Sequence, residues 1–237
     1  MGHSRILFKL SGEALAGQAG FGVDSGRVSE ITSEIAELAK SDVQVALVVG
    51  GGNFFRGVSA SDDGLTRVSV DYMGMLATII NAVVLRDHIS ACGVSANILS
   101  AINVPPITEL CSPTTAIKLL ESGHVVIFAA GTGSPYFSTD TAAALRAIEI
   151  EAELVAKATK VDGVYNKDPV CFPDAQRYEK ISYAEVLTAG LAVMDQSAVA
   201  MCRENDLPLV VFDLNVRGNI KKVAAGENIG TLIHAAE

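Results

Sequence analysis

The sequence lacks the features of several protein classes. Its 237 residues hold 18 Lys and Arg against 27 Asp and Glu, with no run of like charges. A protein that holds nucleic acid by its phosphates needs a basic face, which this composition does not supply. No uninterrupted apolar run reaches the roughly 18 residues that a membrane helix needs. We therefore expect neither a nucleic-acid partner nor a membrane.

Cysteine is scarce and scattered. The four cysteines are Cys92, Cys111, Cys171 and Cys202. They form neither a Cys-x-x-Cys pair nor the spacing of a zinc site. Residues Met1–Ser11 do not have the pattern of a signal peptide. Together these observations predict reduced thiols in a cytoplasmic protein.

Several motifs of nucleotide and hydrolytic enzymes are missing as well. GxxxxGK[ST] does not occur, which excludes a Walker-type NTPase. GxGxxG is also absent, which weakens the case for a dinucleotide-binding fold and for a protein kinase. Because GxSxG is absent and the four histidines lie beside no plausible nucleophile, a hydrolytic triad has little support.

What the chain does have is a set of apolar runs that end in small residues. Val45–Val49 shows no alternation, which predicts a strand buried on both faces, and Gly50–Gly52 follows directly. Similar runs precede Ser11-Gly12 and Gly131–Ser134. Ligands gather at the carboxyl ends of strands in open α/β sheets, so these turns are candidate anion sites. Arg56 would add a cation; a plain glycine turn with a surface arginine is the alternative.

Strand and helix patterns alternate along the whole chain. The apolar positions of residues 28–38 recur at spacings of three and four, which is typical of a helix packed on a sheet. No internal repeat, low-complexity segment or linker divides the sequence. We predict an α/β fold with a mainly parallel central sheet sandwiched by helices, in one domain over residues 1–237.

A helix predicted at about residues 65–91 is unusual. Between Tyr72 and Leu85 its apolar residues cover nearly the full circumference, so we expect it to be buried on both sides. One side would face the core and the other a second subunit. Asp71 lies at the start of this stretch, where it either favours the helix dipole or grips ligand hydroxyls.

Other candidate residues point to a phosphate ligand. Lys9 lies inside the first predicted strand, which is unfavourable unless it meets an anion; an outward-facing edge lysine is the alternative. Thr139 and Asp140 begin a predicted helix, where hydroxyl and free N–H groups suit a phosphate. Gly17–Gly22 is a flexible loop or a linker. This inventory fits phosphoryl transfer, in which an enzyme mainly positions and neutralises oxygens.

Six motifs, in this order along essentially the whole chain, closely resemble those of the bacterial uridylate (UMP) kinases, a family of the amino-acid kinase superfamily. They are Lys9–Leu15, Gly50–Gly57, Asp71–Thr78, Gly131–Gly133, Thr139-Asp140 and Ala158–Val164. The resemblance implies a three-layer αβα fold and transfer of the ATP γ-phosphate to UMP, with Mg²⁺ and no general base. It also implies a homohexamer built from dimers, activation by GTP and inhibition by UTP.

The resemblance also implies roles for individual residues. Catalysis falls to Lys9, Arg56 and Asp140. ATP binding falls to Lys9, Leu10, Ser11, Gly12, Gly52, Arg56, Thr159, Tyr165 and Asp168. UMP binding falls to Gly51, Asp71, Thr132, Gly133, Ser134, Pro135, Tyr136, Phe137, Ser138 and Thr139. The GTP loop is Gly17, Gln18, Ala19, Gly20, Phe21 and Gly22. Mg²⁺ is carried by the ATP phosphates, with Asp140 and Asp195 as candidate ligands. The acceptor side spans roughly residues 1–150 and the ATP side roughly 151–237.

One segment departs from the family pattern. The usual Asn-Pro-Phe-Phe-Thr-Thr is here Ser134-Pro135-Tyr136-Phe137-Ser138-Thr139. Ser138 keeps a hydroxyl, whereas Ser134 is shorter than the asparagine that it replaces. Three other interpretations stay open: a carboxylate kinase of the same superfamily, a non-catalytic nucleotide-binding protein and an NAD-dependent oxidoreductase. Asp71 speaks against the first, and intact Lys9, Arg56 and Asp140 speak against the second.

Overall fold

The computed structural model describes residues 2–55, 64–169, 171–191 and 193–235. Within these ranges the chain forms one nine-stranded sheet with helices on both faces. The strands are β1 (Arg5–Leu10), β2 (Gln44–Val49), β3 (Ala96–Ser100), β4 (Glu109–Leu110), β5 (Val125–Ala129), β6 (Leu154–Thr159), β7 (Lys180–Ser182), β8 (Leu209–Asp213) and β9 (Thr231–His234). The helices are α1 (Gly12–Leu15), α2 (Ser25–Ala39), α3 (Arg67–Ala91), α4 (Pro113–Glu121), α5 (Thr139–Glu149), α6 (Tyr183–Thr188), α7 (Gln196–Glu204) and α8 (Asn219–Ala224).

The sheet has the order β4-β3-β5-β2-β1-β6-β8-β9-β7. Every recorded pairing is parallel except that of β8 with β9. The prediction of a mainly parallel sheet sandwiched by helices is therefore confirmed. Strand β1 lies between β2 and β6, so the turns that follow these three strands meet at one edge of the sheet.

The central strands are buried on both faces, as their unbroken apolar runs predict. Successive side chains of a strand point to opposite faces, so β1 contributes to two separate cores. Phe8 packs with residues of α2, α3 and α8 on one face. Leu7 packs with residues of α4, α5, α6 and α7 on the other. This double covering leaves the carboxyl edge of the strands as the place where polar groups can collect.

Helix α3 is apolar on both sides but is buried on only one side within the single chain. Its inward residues Met75 and Ile79 are 7% and 6% exposed, whereas Leu76 and Ile80 are 52% and 49% exposed. By length and composition α3 would also be capable of crossing a membrane, a property that the search for uninterrupted apolar runs did not reveal. A core helix passes the same test, and the inner face of α3 packs on the sheet. The membrane indication is therefore weak.

Acidic side chains cap two of the helices. Asp24 accepts a hydrogen bond of 2.9 Å from the Arg27 N–H at the start of α2. Asp195 accepts one from the Ala198 N–H at the start of α7. Ser112 occupies the cap position of α4, before Pro113, but its side chain makes no capping hydrogen bond. Proline at the first helical position has no N–H to satisfy.

Candidate active site

Three charged side chains meet near the carboxyl ends of β1 and β6. Lys9 of β1 and Lys157 of β6 are partners in the parallel register, and Asp140 reaches them from the first turn of α5. Lys9 Nζ lies 2.9 Å from Asp140 Oδ1, and Lys157 Nζ donates a hydrogen bond of 2.9 Å to Asp140 Oδ2. Their side chains are only 12% exposed for Lys9 and 15% for the other two. We call Lys9, Asp140 and Lys157 the charged cluster.

Burial and charge oppose one another in the charged cluster. Burial raises the pKa of the Asp140 carboxyl, but the ammonium groups of Lys9 and Lys157 outweigh it and bring this pKa below its ordinary value of 3.8. Burial lowers the pKa of Lys157, although Asp140 opposes that shift. Asp140 is therefore ionised at neutral pH. With both amines protonated the cluster carries a net positive charge, which is the sign that a transferred phosphoryl group needs.

The turns after β1 and β2 pack closely against each other. A Cβ atom at Gly12 would lie 2.4 Å from Asn53 Oδ1 and 2.7 Å from the Gly52 nitrogen. A Cβ atom at Gly51 would lie 2.7 Å from the Gly74 carbonyl oxygen of α3. Only glycine fits at these two positions, so the glycines serve close backbone approach. Arg56 and Gly57, which were predicted to continue this loop, lie outside the described residues.

A buried pair of amides supports the glycine turn. Asn53 and Asn81 exchange hydrogen bonds of 3.0 and 2.7 Å, and Asn81 also donates 2.7 Å to the Gly50 carbonyl. Asn53 donates 2.7 Å to the Gly22 carbonyl, and the Gly22 N–H donates 2.9 Å to the Asn53 carbonyl. The end of the predicted GTP loop is thereby tied to the glycine turn. Within that loop Phe21 is 70% exposed and meets Phe54 edge-on.

Six of the ten residues predicted to bind UMP line one cavity of about 280 Å³, which we call the acceptor pocket; Gly133, Ser134, Pro135 and Tyr136 are not in its lining. It is lined by Gly51, Gly52, Phe55, Arg67, Val70, Asp71, Gly74, Met75, Thr78, Gly131, Thr132, Phe137, Ser138 and Thr139. Asp71 accepts hydrogen bonds of 2.9 Å from Arg67 and of 2.7 Å from the Tyr136 N–H. The Arg67 guanidinium also lies over the Tyr136 ring, at 5.6 Å. Asp71 thus joins α3 to the loop before α5.

The position of Asp71 distinguishes its two predicted roles, which were to favour the helix dipole or to bind ligand hydroxyls. Helix α3 begins at Arg67, four residues earlier than Asp71. Asp71 therefore lies in the second turn, past the free N–H groups of the helix start, and the dipole effect falls off within the first turn. A role for Asp71 in the wall of the acceptor pocket fits its position better than a role at the helix dipole.

The loop before α5 is anchored at its far end. Ser138 caps α5 by accepting a hydrogen bond of 2.9 Å from the Asp140 N–H, and its hydroxyl donates to Asp195. Asp195 accepts a further hydrogen bond of 2.9 Å from the Thr141 hydroxyl and caps α7. Asp195, a candidate Mg²⁺ ligand, thus joins α5 to α7 in this structure. Thr132 and Ser134 bond to each other at 3.2 Å near the start of the loop.

The arrangement of carboxylates bears on how a metal would be held. Among the described ranges, no group of three or more His, Cys, Asp and Glu side chains is placed to hold an ion. Asp140 already faces two ammonium groups, which disfavours a third cation on the same carboxylate. Mg²⁺ is commonly held by one or two carboxylates together with substrate phosphates. The residues present fit that mode, with the ion carried mainly by the phosphates.

Three of the residues predicted to bind ATP line a second cavity of about 540 Å³, the ATP-side cleft, whereas its lining does not include Lys9, Leu10, Ser11, Gly12 and Gly52. Thr159, Tyr165 and Asp168 line it together with Lys157. The Thr159 hydroxyl donates a hydrogen bond of 2.6 Å to the Val161 carbonyl. The Tyr165 hydroxyl donates 2.6 Å to Asp162, and this hydrogen bond raises the pKa of Tyr165. Leu10, also predicted for ATP, has its side chain fully buried, so only its backbone is placed to serve a ligand.

A cavity of about 570 Å³ lies elsewhere, between α2 and the segment after β8. Its wall carries both signs of charge, and several of these groups are engaged with each other or with backbone. Glu34 accepts from the Gly218 N–H, Lys221 pairs with Glu37, and Arg27 donates to Glu30. No residue with a predicted role lines it. The volume of this cavity alone is no evidence that it binds a substrate.

The comparisons with known proteins agree with this geometry. Residues 4–213 match the amino acid kinase family. The chain is 50% identical over 232 residues to a protein named uridylate kinase from Parabacteroides distasonis, with 98% of each chain covered. The UMP kinase structure from Bacillus anthracis has a TM-score of 0.97 at 35% identity, covering 100% of this chain and 98% of that one. The UMP kinase from Ureaplasma parvum gives 0.93 at 36% identity, covering 99% and 100%. The chain belongs to the amino acid kinase family, among the uridylate kinases.

Membership of the uridylate kinases confirms the resemblance drawn from the six motifs. It also weighs against the NAD-dependent oxidoreductase, which the missing GxGxxG motif had already disfavoured. The structure pairs Lys9 with Asp140 and packs Gly12 against the glycine turn that follows β2.

Sequence reasoning missed several residues of the site. Lys157 carries the same signal as Lys9, a lysine inside an otherwise apolar strand, and was overlooked. Arg67 was visible as a partner of Asp71 because residues four apart are neighbours on a helix. Asn53 and Asn81 gave no such signal, since a buried amide pair depends on how distant segments pack.

Proposed function

We propose that the chain transfers the γ-phosphate of ATP to UMP, giving UDP and ADP in pyrimidine nucleotide synthesis. The observation that carries the proposal is the charged cluster beside two cavities. Lys157 lines the ATP-side cleft, and Thr139, next to Asp140, lines the acceptor pocket. Two bound substrates would therefore have their phosphates near the same ammonium groups. The names of the relatives supply the identity of the substrates.

The chain would act mainly by positioning and charge neutralisation. The acceptor is a phosphate dianion, which is nucleophilic at neutral pH, so the reaction needs no general base. Lys9 would neutralise the phosphoryl group in flight, and Asp140 would orient Lys9. Gly12 and Gly51 would let the phosphates approach the backbone closely. Arg56 would clamp the phosphates, and Mg²⁺ on the ATP phosphates would neutralise further charge.

The proposed binding sides divide the chain at about residue 150. Residues 1–150 would form the acceptor side and residues 151–237 the ATP side. In support, the lining of the acceptor pocket comes from residues 51–139. The lining of the ATP-side cleft comes from residues 157–211. The charged cluster draws on both sides, because Lys9 and Asp140 belong to the first and Lys157 to the second.

A screen of acceptors tests the proposed function. ADP release from ATP and Mg²⁺ would be followed with each nucleoside monophosphate, with a panel of small carboxylic acids, and with no acceptor. We expect release with UMP far above every other acceptor. Release driven by a carboxylic acid would favour the carboxylate kinase, and no acceptor-dependent release would favour a non-catalytic nucleotide-binding protein.

We also propose that the chain assembles as a homohexamer. The outward side of α3 supports a second copy as its cover, because Tyr72, Leu76 and Ile80 are large, apolar and 42–52% exposed. Light scattering on the unmodified chain should give the hexameric mass. Ile80→Glu should reduce that mass, and Ser90→Glu, an exposed polar position of the same helix, should not. A monomer in the unmodified chain would contradict the proposal.

Regulation by GTP as activator and UTP as inhibitor is a further part of the proposal, as is a cytoplasmic location. Support for GTP acting at Gly17–Gly22 comes from the hydrogen bonds that tie Gly22 to Asn53, beside the glycine turn. Support for the cytoplasm comes from the four free cysteines. Rates of ADP release with and without each nucleotide test the regulation; unchanged rates would contradict it.

A further inference from the structure

We propose that Lys157 is a positioning residue for the transfer step and that it acts by fixing the carboxylate of Asp140. The inference rests on the phosphoryl transfer proposed above. Lys157 is not one of the residues to which the sequence motifs assigned a role in catalysis or binding. Its contacts nevertheless connect the strand, the helix and the loop that surround the reacting groups.

The contacts of Lys157 extend in two directions. Its Nζ donates a hydrogen bond of 2.9 Å to Asp140 Oδ2 at the start of α5. The same Nζ donates to the backbone carbonyl of Val193, just before α7. The side chain is 15% exposed, so little water is available to replace either acceptor. Lys157 therefore holds Asp140 from a fixed point on β6.

Lys9 contacts the other oxygen of Asp140. Its Nζ lies 2.9 Å from Asp140 Oδ1, in an ion pair between two largely buried side chains. Lys157 engages Oδ2 through its hydrogen bond of 2.9 Å. The carboxylate is thus held between two ammonium groups, one on each oxygen, so the contact with Lys157 fixes the orientation in which Asp140 meets Lys9.

Loss of Lys157 would change this division of roles. Asp140 would keep one ion pair and would be able to rotate toward Lys9, which would draw the Lys9 N–H groups away from the substrate. A displacement of about 1 Å in a reacting group lowers the rate by about a hundredfold. We therefore expect a fall in kcat of about that size in the Lys157→Met variant. KM for UMP should persist, because Lys157 does not line the acceptor pocket.

Three variants, each with a different expected kcat, test the positioning role of Lys157. Lys157→Met removes the charge, Lys157→Arg keeps a charged donor, and Lys180→Met changes an exposed lysine of β7 as a control. We expect kcat to fall in Lys157→Met, to recover in part in Lys157→Arg and to be unchanged in Lys180→Met. An unchanged kcat in Lys157→Met would overturn the inference. So would a raised KM for ATP at unchanged kcat, which would mean that Lys157 binds ATP directly.

The Asp140→Asn background separates positioning from an independent role. If Lys157 acts through Asp140, Lys157→Met should reduce kcat much less in that background than in the unmodified chain. An equal reduction in both backgrounds would overturn the inference. Should Lys157→Met fail to fold, a comparison of Asp140→Asn with the double variant still tests it, since a further large loss in the double variant contradicts it. Absence of UMP-dependent ADP release by the unmodified chain would instead contradict the proposed function.

Discussion

The acceptor pocket and the ATP-side cleft are held together in different ways. Asp71 in the acceptor pocket accepts a hydrogen bond from Tyr136, 65 residues along the chain. In the ATP-side cleft, the Tyr165 hydroxyl donates to Asp162, three residues away. The Thr159 hydroxyl donates to the Val161 carbonyl at 2.6 Å and to the Phe212 carbonyl, 53 residues away, at 3.3 Å. A distant loop thus holds the carboxylate of the first cavity, whereas a neighbour in the same loop holds the hydroxyl of the tyrosine in the second.

This difference indicates which of the two cavities should determine substrate selectivity. A cavity whose polar groups are fixed before binding discriminates well, because little ordering is needed when the correct ligand arrives. The acceptor pocket has that form, with Asp71 held on both sides by Arg67 and Tyr136. In the ATP-side cleft, the Tyr165 hydroxyl is held by Asp162 of its own loop. Changes in the acceptor pocket should therefore alter which substrate reacts, and changes in the cleft should mainly weaken ATP binding.

The largest effect is expected at Lys9, which pairs with Asp140 in the charged cluster. Lys9→Ala should lower kcat by roughly a hundredfold or more, because the positive charge acts on the phosphoryl group in flight. KM for UMP and for ATP should change much less, and the fold should persist by circular dichroism. Lys180→Ala, on an exposed position of β7, is the control. Near-normal turnover in a folded Lys9→Ala chain would contradict the role of Lys9.

The selectivity of the acceptor pocket is tested at Asp71. A hydrogen bond to a charged group contributes about 1.5–3 kcal/mol. The unmodified chain should therefore prefer UMP over dUMP by about 10- to 150-fold in kcat/KM. Asp71→Ala should lose activity with UMP and much less with dUMP. If Asp71 acts only on the stability of α3, both acceptors should lose activity equally. An unchanged UMP/dUMP ratio would remove Asp71 from the substrate site.

A smaller effect is expected in the ATP-side cleft. Aromatic contacts contribute about 0.5–1.5 kcal/mol, so Tyr165→Ala should raise KM for ATP by roughly 2- to 10-fold. KM for UMP should be unchanged. Tyr165→Phe keeps the ring and removes only the bond to Asp162, so its KM for ATP should stay nearer to normal. A loss of UMP selectivity in Tyr165→Ala would contradict the assignment of substrate selectivity to the acceptor pocket.

The smallest effect concerns the charged cluster and pH. Lys9 and Lys157 hold the pKa of Asp140 below 3.8 in the folded chain, so the unfolded chain binds more protons between the folded value and 3.8. The stability from Asp140 is present above 3.8 and is lost as the pH falls through the folded value. The free energy of unfolding should therefore depend less steeply on pH in Asp140→Asn over that acid range. Equal slopes would contradict the pairing.

Much of the fold could be predicted from the sequence because its signals are local. The unbroken apolar runs of β1, β2 and β5 and the capping residues Asp24 and Asp195 were readable in this way. The strands β4 and β7 have two and three residues, too few for a pattern. Helix α6 is also short, but its capping box from Ser182 to Glu185 is a signal that was missed.

The site could be predicted only in part, for a physical reason. Lys9 and Asp140 were readable as a lysine in a buried strand and a carboxylate at a helix start. That they pair, and that Lys157 completes the pair, follows from the packing of β1, β6 and α5, whose residues are far apart in sequence. The hold of Tyr136 on Asp71 likewise depends on the path of a loop. The residue types were predictable, but their partners were not.

The most direct measurement follows the labelled γ-phosphate of ATP. The chain would be incubated with Mg²⁺, γ-labelled ATP and UMP, and the products would be separated by chromatography. Direct transfer between the two cavities predicts that the label appears in UDP, in step with ADP. Label released as inorganic phosphate, or label left in ATP with UMP unchanged, would contradict the account.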